Sequence, residues 1–200
     1  MATTKLLIRD FLRRLAYRPR DILRNATLRG EVATEVISWN LNLESDHVEI
    51  IVDTASSIGE CMYAHMSYDY QRFAAVYTAC LTYVDDLGSH ISDAIGQFGQ
   101  RLLHGNSQLH PALERLAALL NTVHELYPRI SADTIVTNTI DGINAMYIEV
   151  VSKGKGCSPL ATKYPSYLRL RSGIASGYAH LSFVKNMECV LGTSYLQVLP

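Results

Sequence analysis

The sequence predicts an all-α protein, a bundle of helices around one core, on three observations. Apolar residues recur at helical spacing through most of the chain. Strand signals are scarce: period-2 alternation and Asn-Gly or Asp-Gly hairpin pairs are absent, and Asp141-Gly142 sits inside a helical pattern instead. Breaks of turn-forming composition fall between the periodic stretches, at Asn40-Leu-Asn-Leu43, Gly105-Asn-Ser107, Tyr127-Pro128 and the segment from Lys153 to Pro159. The core of such a bundle is built from side chains of facing helices.

The first element runs from Thr4 to Tyr17. Leu7, Phe11 and Leu15 share one face and Arg9, Arg13, Arg14 and Arg18 lie around the other, with Pro19 as its end. Such a stretch suits an ordinary first helix packed on the body; a mitochondrial presequence or a membrane-surface helix are the alternatives. Asp10 and its short length weigh toward the first. Further helices are expected at about 31–41, 46–64, 69–87, 90–103, 110–126, 131–150 and 164–182. The helix over 69–87 carries an uncharged, aromatic-rich stretch from Phe73 to Val84 and reads as buried, with Gly88 as its stop signal. Pro165 suits the first turn of the last helix, where its missing N–H costs nothing. Gly173 falls inside that helix at a cost of about 0.5–1 kcal/mol relative to alanine, which asks for a close approach by another group.

With 200 residues, 48% of them hydrophobic and 18% charged, the chain has enough length for one real core. A formal net charge of −1 and the absence of basic stripes argue against a nucleic-acid partner. Cys61, Cys80, Cys157 and Cys189 lie far apart with no C-x-x-C spacing, as reduced, buried thiols of a cytoplasmic protein would. The N-terminus lacks the apolar core of a secretory signal, and no segment reaches the roughly 20 apolar residues of a membrane span. Asn25-Ala-Thr27 matches a glycosylation sequon, which means little without secretion.

Asp85 and Asp86 close the apolar helix in its last turn, where the helix dipole opposes them by about 0.3–1 kcal/mol each. Water compensates them if they lie at a surface. If they rim a cavity, the natural partner is a hard cation such as Mg2+, which binds carboxylate oxygens and keeps coordination sites for phosphate. Thr78 and Leu81 stack beneath Asp85, with Ala74 lower still, a line of modest side chains that leaves room for a ligand. In Tyr164-Pro-Ser-Tyr-Leu-Arg-Leu-Arg-Ser-Gly173, Arg169 shares a face with Gly173, Ser176 and Gly177, and its planar fork matches phosphate oxygens. Arg171 points about 200° away on the same helical wheel, toward solvent.

The segment from Tyr68 to Asp86, together with Tyr164-Pro-Ser-Tyr-Leu-Arg169, resembles the fungal class I sesquiterpene cyclases of the trichodiene synthase type, and Ile8 to Pro19 is similar to their N-terminal helix. The similarity runs from about residue 8 to 186. It implies an α-helical terpenoid synthase bundle that binds farnesyl diphosphate with Mg2+ and ionises it to an allylic cation. Position by position, the resemblance makes Asp85 the leading metal ligand with Asp86 beside it, and Arg169 the diphosphate sensor. Phe73, Tyr77 and Tyr147 become candidate aromatics of the cavity, with Thr78 and Leu81 beside them, though each aromatic also fits a plain core role.

Three departures bear on that resemblance. The fifth position of the aspartate motif is Ser89, and the next acid is Asp93. A second metal motif, Asn/Asp-Asp-x-x-Ser/Thr-x-x-x-Glu, is expected after the arginine helix and does not occur. Asp141, Ala145 and Glu149 repeat on one helical face, but an alanine holds the middle position and the segment precedes Arg169, so it is no substitute. The expectation is therefore an incomplete bundle, with a cyclase domain over 1–186 and a non-matching apolar tail over 187–200. An exposed apolar face would invite association, a homodimer included. Metal held from one side leaves the diphosphate under-coordinated, so the rival reading is a catalytically inactive family member acting as a helical binding module. A chain-elongating isoprenyl transferase should show two full aspartate motifs. Lys153-Gly-Lys-Gly156 lacks the P-loop pattern and reads as a turn.

Overall fold

A computed structural model describes residues 2–18, 24–156, 158 and 160–185. Pro19, Cys157, Cys189 and the tail over 187–200 lie outside them. The described residues form nine α-helices with no strand. They are α1 (Ala2–Arg14), α2 (Ala26–Ser38), α3 (Ser45–Met62), α4 (Tyr68–Leu87), α5 (Ser92–Leu103), α6 (Pro111–Leu126), α7 (Arg129–Ser152), α8 (Tyr164–Ser172) and α9 (Ala175–His180), with one 3-10 turn at Gly88–His90. No described helix is long and apolar enough to cross a membrane.

The centre of the bundle is α4. Every residue from Phe73 to Leu81 is buried, as are Tyr83 and Val84. A helix that is apolar all round needs partners on all sides, and α3, α2, α6 and α7 supply them. Closest is α3. A Cβ on Gly59 would stand 2.9 Å from the backbone oxygen of Gln71 and 3.3 Å from Ala75 Cβ, so glycine here permits the two backbones to meet. The helix α6 opens on His110, whose Nδ1 accepts from the Ala112 N–H at 3.3 Å, followed by Pro111 in the first turn.

The sequence-based boundaries hold within a few residues except at the start of α2 and in the helix expected over 164–182. Helix α2 begins at Ala26 rather than about 31, because Asn25 is an N-cap whose side chain accepts from the Leu28 N–H at 3.1 Å. The described residues leave the apolar face of α1 uncovered, with Leu7 and Phe11 67% and 61% exposed. Gly88 follows the end of α4 with an ordinary helical φ of −58°. The helix does end at Leu87 with Gly88 as its C-cap, as expected, and Gly88 is also a close-packing position, where a Cβ would stand 2.8 Å from Ile95 Cδ1. The expected single helix over 164–182 is broken, since α8 stops at Ser172 and Ile174 takes a left-handed φ of +48° before α9 begins. The shared face drawn from Arg169 to Ser176 and Gly177 therefore does not exist.

Ile174 is costly in that conformation, by about 1–3 kcal/mol, and it is buried. The compensation lies on α7, where Gly142 has no side chain: a Cβ there would stand 2.6 Å from Ile174 Cδ1. The Lys153–Gly156 segment is a turn, with Gly154 at φ +79°. Asn40 and Asn42 both take left-handed φ in the α2–α3 connection, as asparagine tolerates. Of the described cysteines, Cys80 is buried and Cys61 is exposed, which corrects the expectation of buried thiols for Cys61.

Two tests follow from this packing. Gly59→Ala should destabilise the protein by about 1–3 kcal/mol through overpacking against a backbone that cannot move. Gly30→Ala, on the open face of α2 with nothing within 4 Å, should stabilise it by about 0.5–1 kcal/mol; urea denaturation of both variants measures the contrast. Burial also lowers the pKa of His110 and of His180, so the fold favours their neutral forms. That stability is fully present above pH ~6.5 and is lost as pH falls through the depressed values. The melting temperature should fall between pH 7.5 and 5.5, and His110→Asn, which keeps an acceptor at the cap, should reduce the slope.

Candidate functional site

Burial of α4 carries its C-terminal turn to the surface of the bundle with two carboxylates attached. Asp85 and Asp86 are both accessible, and neither makes a hydrogen bond or ion pair among the described residues. The protein around Asp85 nevertheless shields it enough that burial raises its pKa, and the neighbouring Asp86 raises it further. The positive charge of Arg169 acts in the opposite sense on the same carboxyl group. Residues 85 and 169, 84 positions apart in sequence, thus share one electrostatic environment.

Arg169 comes from α8, is exposed, and its guanidinium likewise has no hydrogen-bonded or ionic partner among the described residues. It influences Asp85 through space without closing on it. An uncompensated pair of acids and an uncompensated guanidinium in one region form a donor set of mixed sign, suited to a cation on the acidic side and an oxyanion on the basic side. The carboxylates fit a hard divalent ion: they are oxygen donors at adjacent positions whose charge nothing described neutralises. Ser89 and Asp93 are exposed, in the 3-10 turn and the first turn of α5. Among the described residues no three or more His, Cys, Asp or Glu side chains gather in a group able to hold a metal.

Below the acids, the inward stripe of α4 is apolar and closely packed. Leu81, Thr78 and Phe73 each keep about 5% exposure and Tyr77 none. The Phe73 and Tyr77 rings stack with centroids 6.2 Å apart, and Tyr127 meets Phe73 edge-on at 5.5 Å. Tyr77 Oη donates to Thr139 Oγ1 at 2.7 Å, whose own proton goes to the Ile135 carbonyl. Helix α9 lies against this stripe through Tyr178, which donates from Oη to Thr78 Oγ1 at 3.0 Å and accepts at its carbonyl from Tyr63 Oη at 2.7 Å. Burial raises the phenol pKa of Tyr63 and Tyr77, and pushes Tyr178 up to about 12. All three rings are neutral at physiological pH. Tyr147 is half-buried against Gly96 of α5, where a Cβ would stand 3.0 Å from its ring.

One sequence-based assignment changes. Arg171 is not simply solvated: its guanidinium pairs with the Asp141 carboxylate of α7 and lies 4.7 Å over the Tyr167 ring. Asp141 is accordingly neither a metal ligand nor a free acid. This pair had no signal in the sequence beyond the complementary charges, because the register of α8 on α7 is set by the break at Ile174.

The profile described as Trichodiene synthase (TRI5) matches residues 36–187. Alpha-cuprenene synthase COP6 of Coprinopsis cinerea is 26% identical over 139 residues, which is 69% of this chain and 42% of that protein. Terpene synthase BipA of Cochliobolus sativus is 26% identical over 159 residues, 78% of this chain and 48% of the relative. (E)-beta farnesene synthase of Metarhizium brunneum is 25% identical over 134 residues, 66% of this chain and 40% of the relative. The chain thus spans about half the length of the curated relatives it matches. With the family profile covering most of its length and every described element helical, the chain belongs to the trichodiene synthase family of terpene synthases.

Proposed function

We propose that the chain carries the diphosphate-binding half of a sesquiterpene cyclase, one that ionises farnesyl diphosphate in the presence of Mg2+. What supports this reading is the family match together with the exposed, unpaired Asp85 and Asp86 at the end of the apolar helix α4, with the charge of Arg169 acting on Asp85. Asp85 would be the principal metal ligand and Asp86 the second. The ion's chemistry at that position would be neutralisation of charge on the departing diphosphate.

Arg169 would bind diphosphate oxygens through its fork, which fixes the head group relative to the acids. The resemblance sets Phe73, Tyr77, Thr78 and Leu81 along the hydrocarbon chain; here they are packed against one another and against Tyr178 of α9, so the chain would reach them only where the Tyr178–Thr78 contact opens. Aromatic faces stabilise a nearby cation by about 0.5–2 kcal/mol each, and the stripe offers rings and methyl groups without a free base. Its phenols are neutral and its hydroxyls already bonded, as an environment that must not quench a cation requires. Close packing of the stripe also keeps water from it.

One observation favours a second reading, in which the chain binds diphosphate without turning it over: among the described residues no three or more His, Cys, Asp or Glu side chains gather in a group able to hold a metal. Incubation with farnesyl diphosphate and Mg2+, followed by analysis of volatiles, separates the two. A hydrocarbon or alcohol above the metal-free blank supports the cyclase; binding without product selects the second reading. Asp85→Ala should abolish product formation with an unchanged circular dichroism spectrum and melting temperature. Arg169→Lys should raise KM by about ten- to hundredfold, the worth of a charge-assisted hydrogen bond lost with the fork; an unchanged KM would remove Arg169 from the diphosphate site.

A further inference from the structure

We propose that Asp141 and Arg171 are positioning residues of the anion site: their ion pair pins α8 to α7 by the face opposite Arg169 and so sets the direction of the Arg169 guanidinium. The inference rests on the function proposed above for Arg169, and deepens it.

The need for such a device follows from how little else holds α8. At nine residues it is too short to be stable alone, and only Leu168 among its side chains is buried. One face is nevertheless built as a ladder. Tyr164 and Tyr167 stack with centroids 6.5 Å apart, and Arg171 lies with Cζ 4.7 Å over the Tyr167 ring. From there the guanidinium reaches Asp141 on α7. The next residue on α7, Gly142, lets the α8 backbone come close: a Cβ there would stand 3.3 Å from the Arg171 carbonyl and would collide with Ile174. Asp141 and Gly142 together therefore receive the end of α8 and the break that follows it. Two residues along a helix is a rotation of roughly 200°, so pinning Arg171 against α7 turns Arg169 to the far side of α8, where it is exposed and unpaired among the described residues.

Both members of the pair are 41% exposed, and ion pairs of that exposure contribute little to folding. Orientation, not stability, is the consequence. Asp141→Asn and Arg171→Gln should each leave the melting temperature within about 4 °C of wild type. Each should weaken binding of inorganic pyrophosphate with Mg2+, measured by calorimetry, by about tenfold, an ordinary coupling between contacting groups. The charge-exchanged double variant Asp141→Arg/Arg171→Asp should recover at least threefold of that loss. In an Arg169→Gln background, Asp141→Asn should produce no further weakening, because the pair acts through Arg169. Wild-type affinity in the single variants, or losses that add to that of Arg169→Gln, would overturn the proposal. If the wild-type chain binds no pyrophosphate, the parent function fails, and amide exchange over residues 164–172 still decides the pinning. Faster exchange in Asp141→Asn, recovered in the charge exchange, supports it; unchanged exchange refutes it.

Discussion

The structure depends on burying α4 on every side. Nine consecutive residues from Phe73 to Leu81 are withdrawn from water, so the helix cannot carry a charge along that length and must pass its polar requirements to neighbours. It does so in short, closed exchanges: Tyr77 to Thr139, Tyr178 to Thr78, and Thr78 to the Ala74 carbonyl at 2.7 Å. Each buried hydroxyl in this set has a partner, which keeps the cost of placing polar atoms in the centre low. Only where the helix leaves the packed region do charges appear, and there two come at once. The adverse end of the helix dipole and their mutual repulsion oppose them there, and at this exposed position solvent or a cation compensates them.

The two sides of the site are held in different ways. The acids belong to the most firmly packed element of the molecule, fixed by its backbone contact with Gly59 and by the Ile95 contact at Gly88. The arginine belongs to a short, exposed helix tied down at a few points: Leu168, the Asp141–Arg171 pair and the Ile174 plug over Gly142. On the proposed function, a rigid metal side and a tethered anion side would allow the head group to be gripped without disturbing the core.

Much of this was legible in the sequence. Long uncharged or strongly periodic stretches gave α3 through α7 nearly to the residue, because burial there is one-dimensional information: it can be counted along the chain. The acid pair stood out for the same reason, as charge at the end of a charge-free run. The features that escaped were set by the meeting of distant segments. Asn25 looked like a sequon and is a helix cap; Gly142 read only as part of a helical pattern and is the seat of Ile174; Arg171 and Asp141 looked independent and are partners. The left-handed turn at Ile174 had no local signal, since a β-branched residue is a poor choice for positive φ and persists there only through contact with α7. Likewise α1 displays the amphipathic pattern of a packed helix, but that pattern says only that a face is apolar, not that the described chain supplies its cover.

The central claim, that Asp85 and Asp86 hold a divalent ion while Arg169 grips the diphosphate it accompanies, is tested most directly by a crystal structure grown with Mn2+ and a non-ionisable farnesyl diphosphate analogue. The account predicts anomalous density within coordination distance of the Asp85 carboxylate, with diphosphate oxygens between that ion and the Arg169 guanidinium. Metal bound away from residue 85, or a diphosphate seated without contact to residue 169, would contradict it.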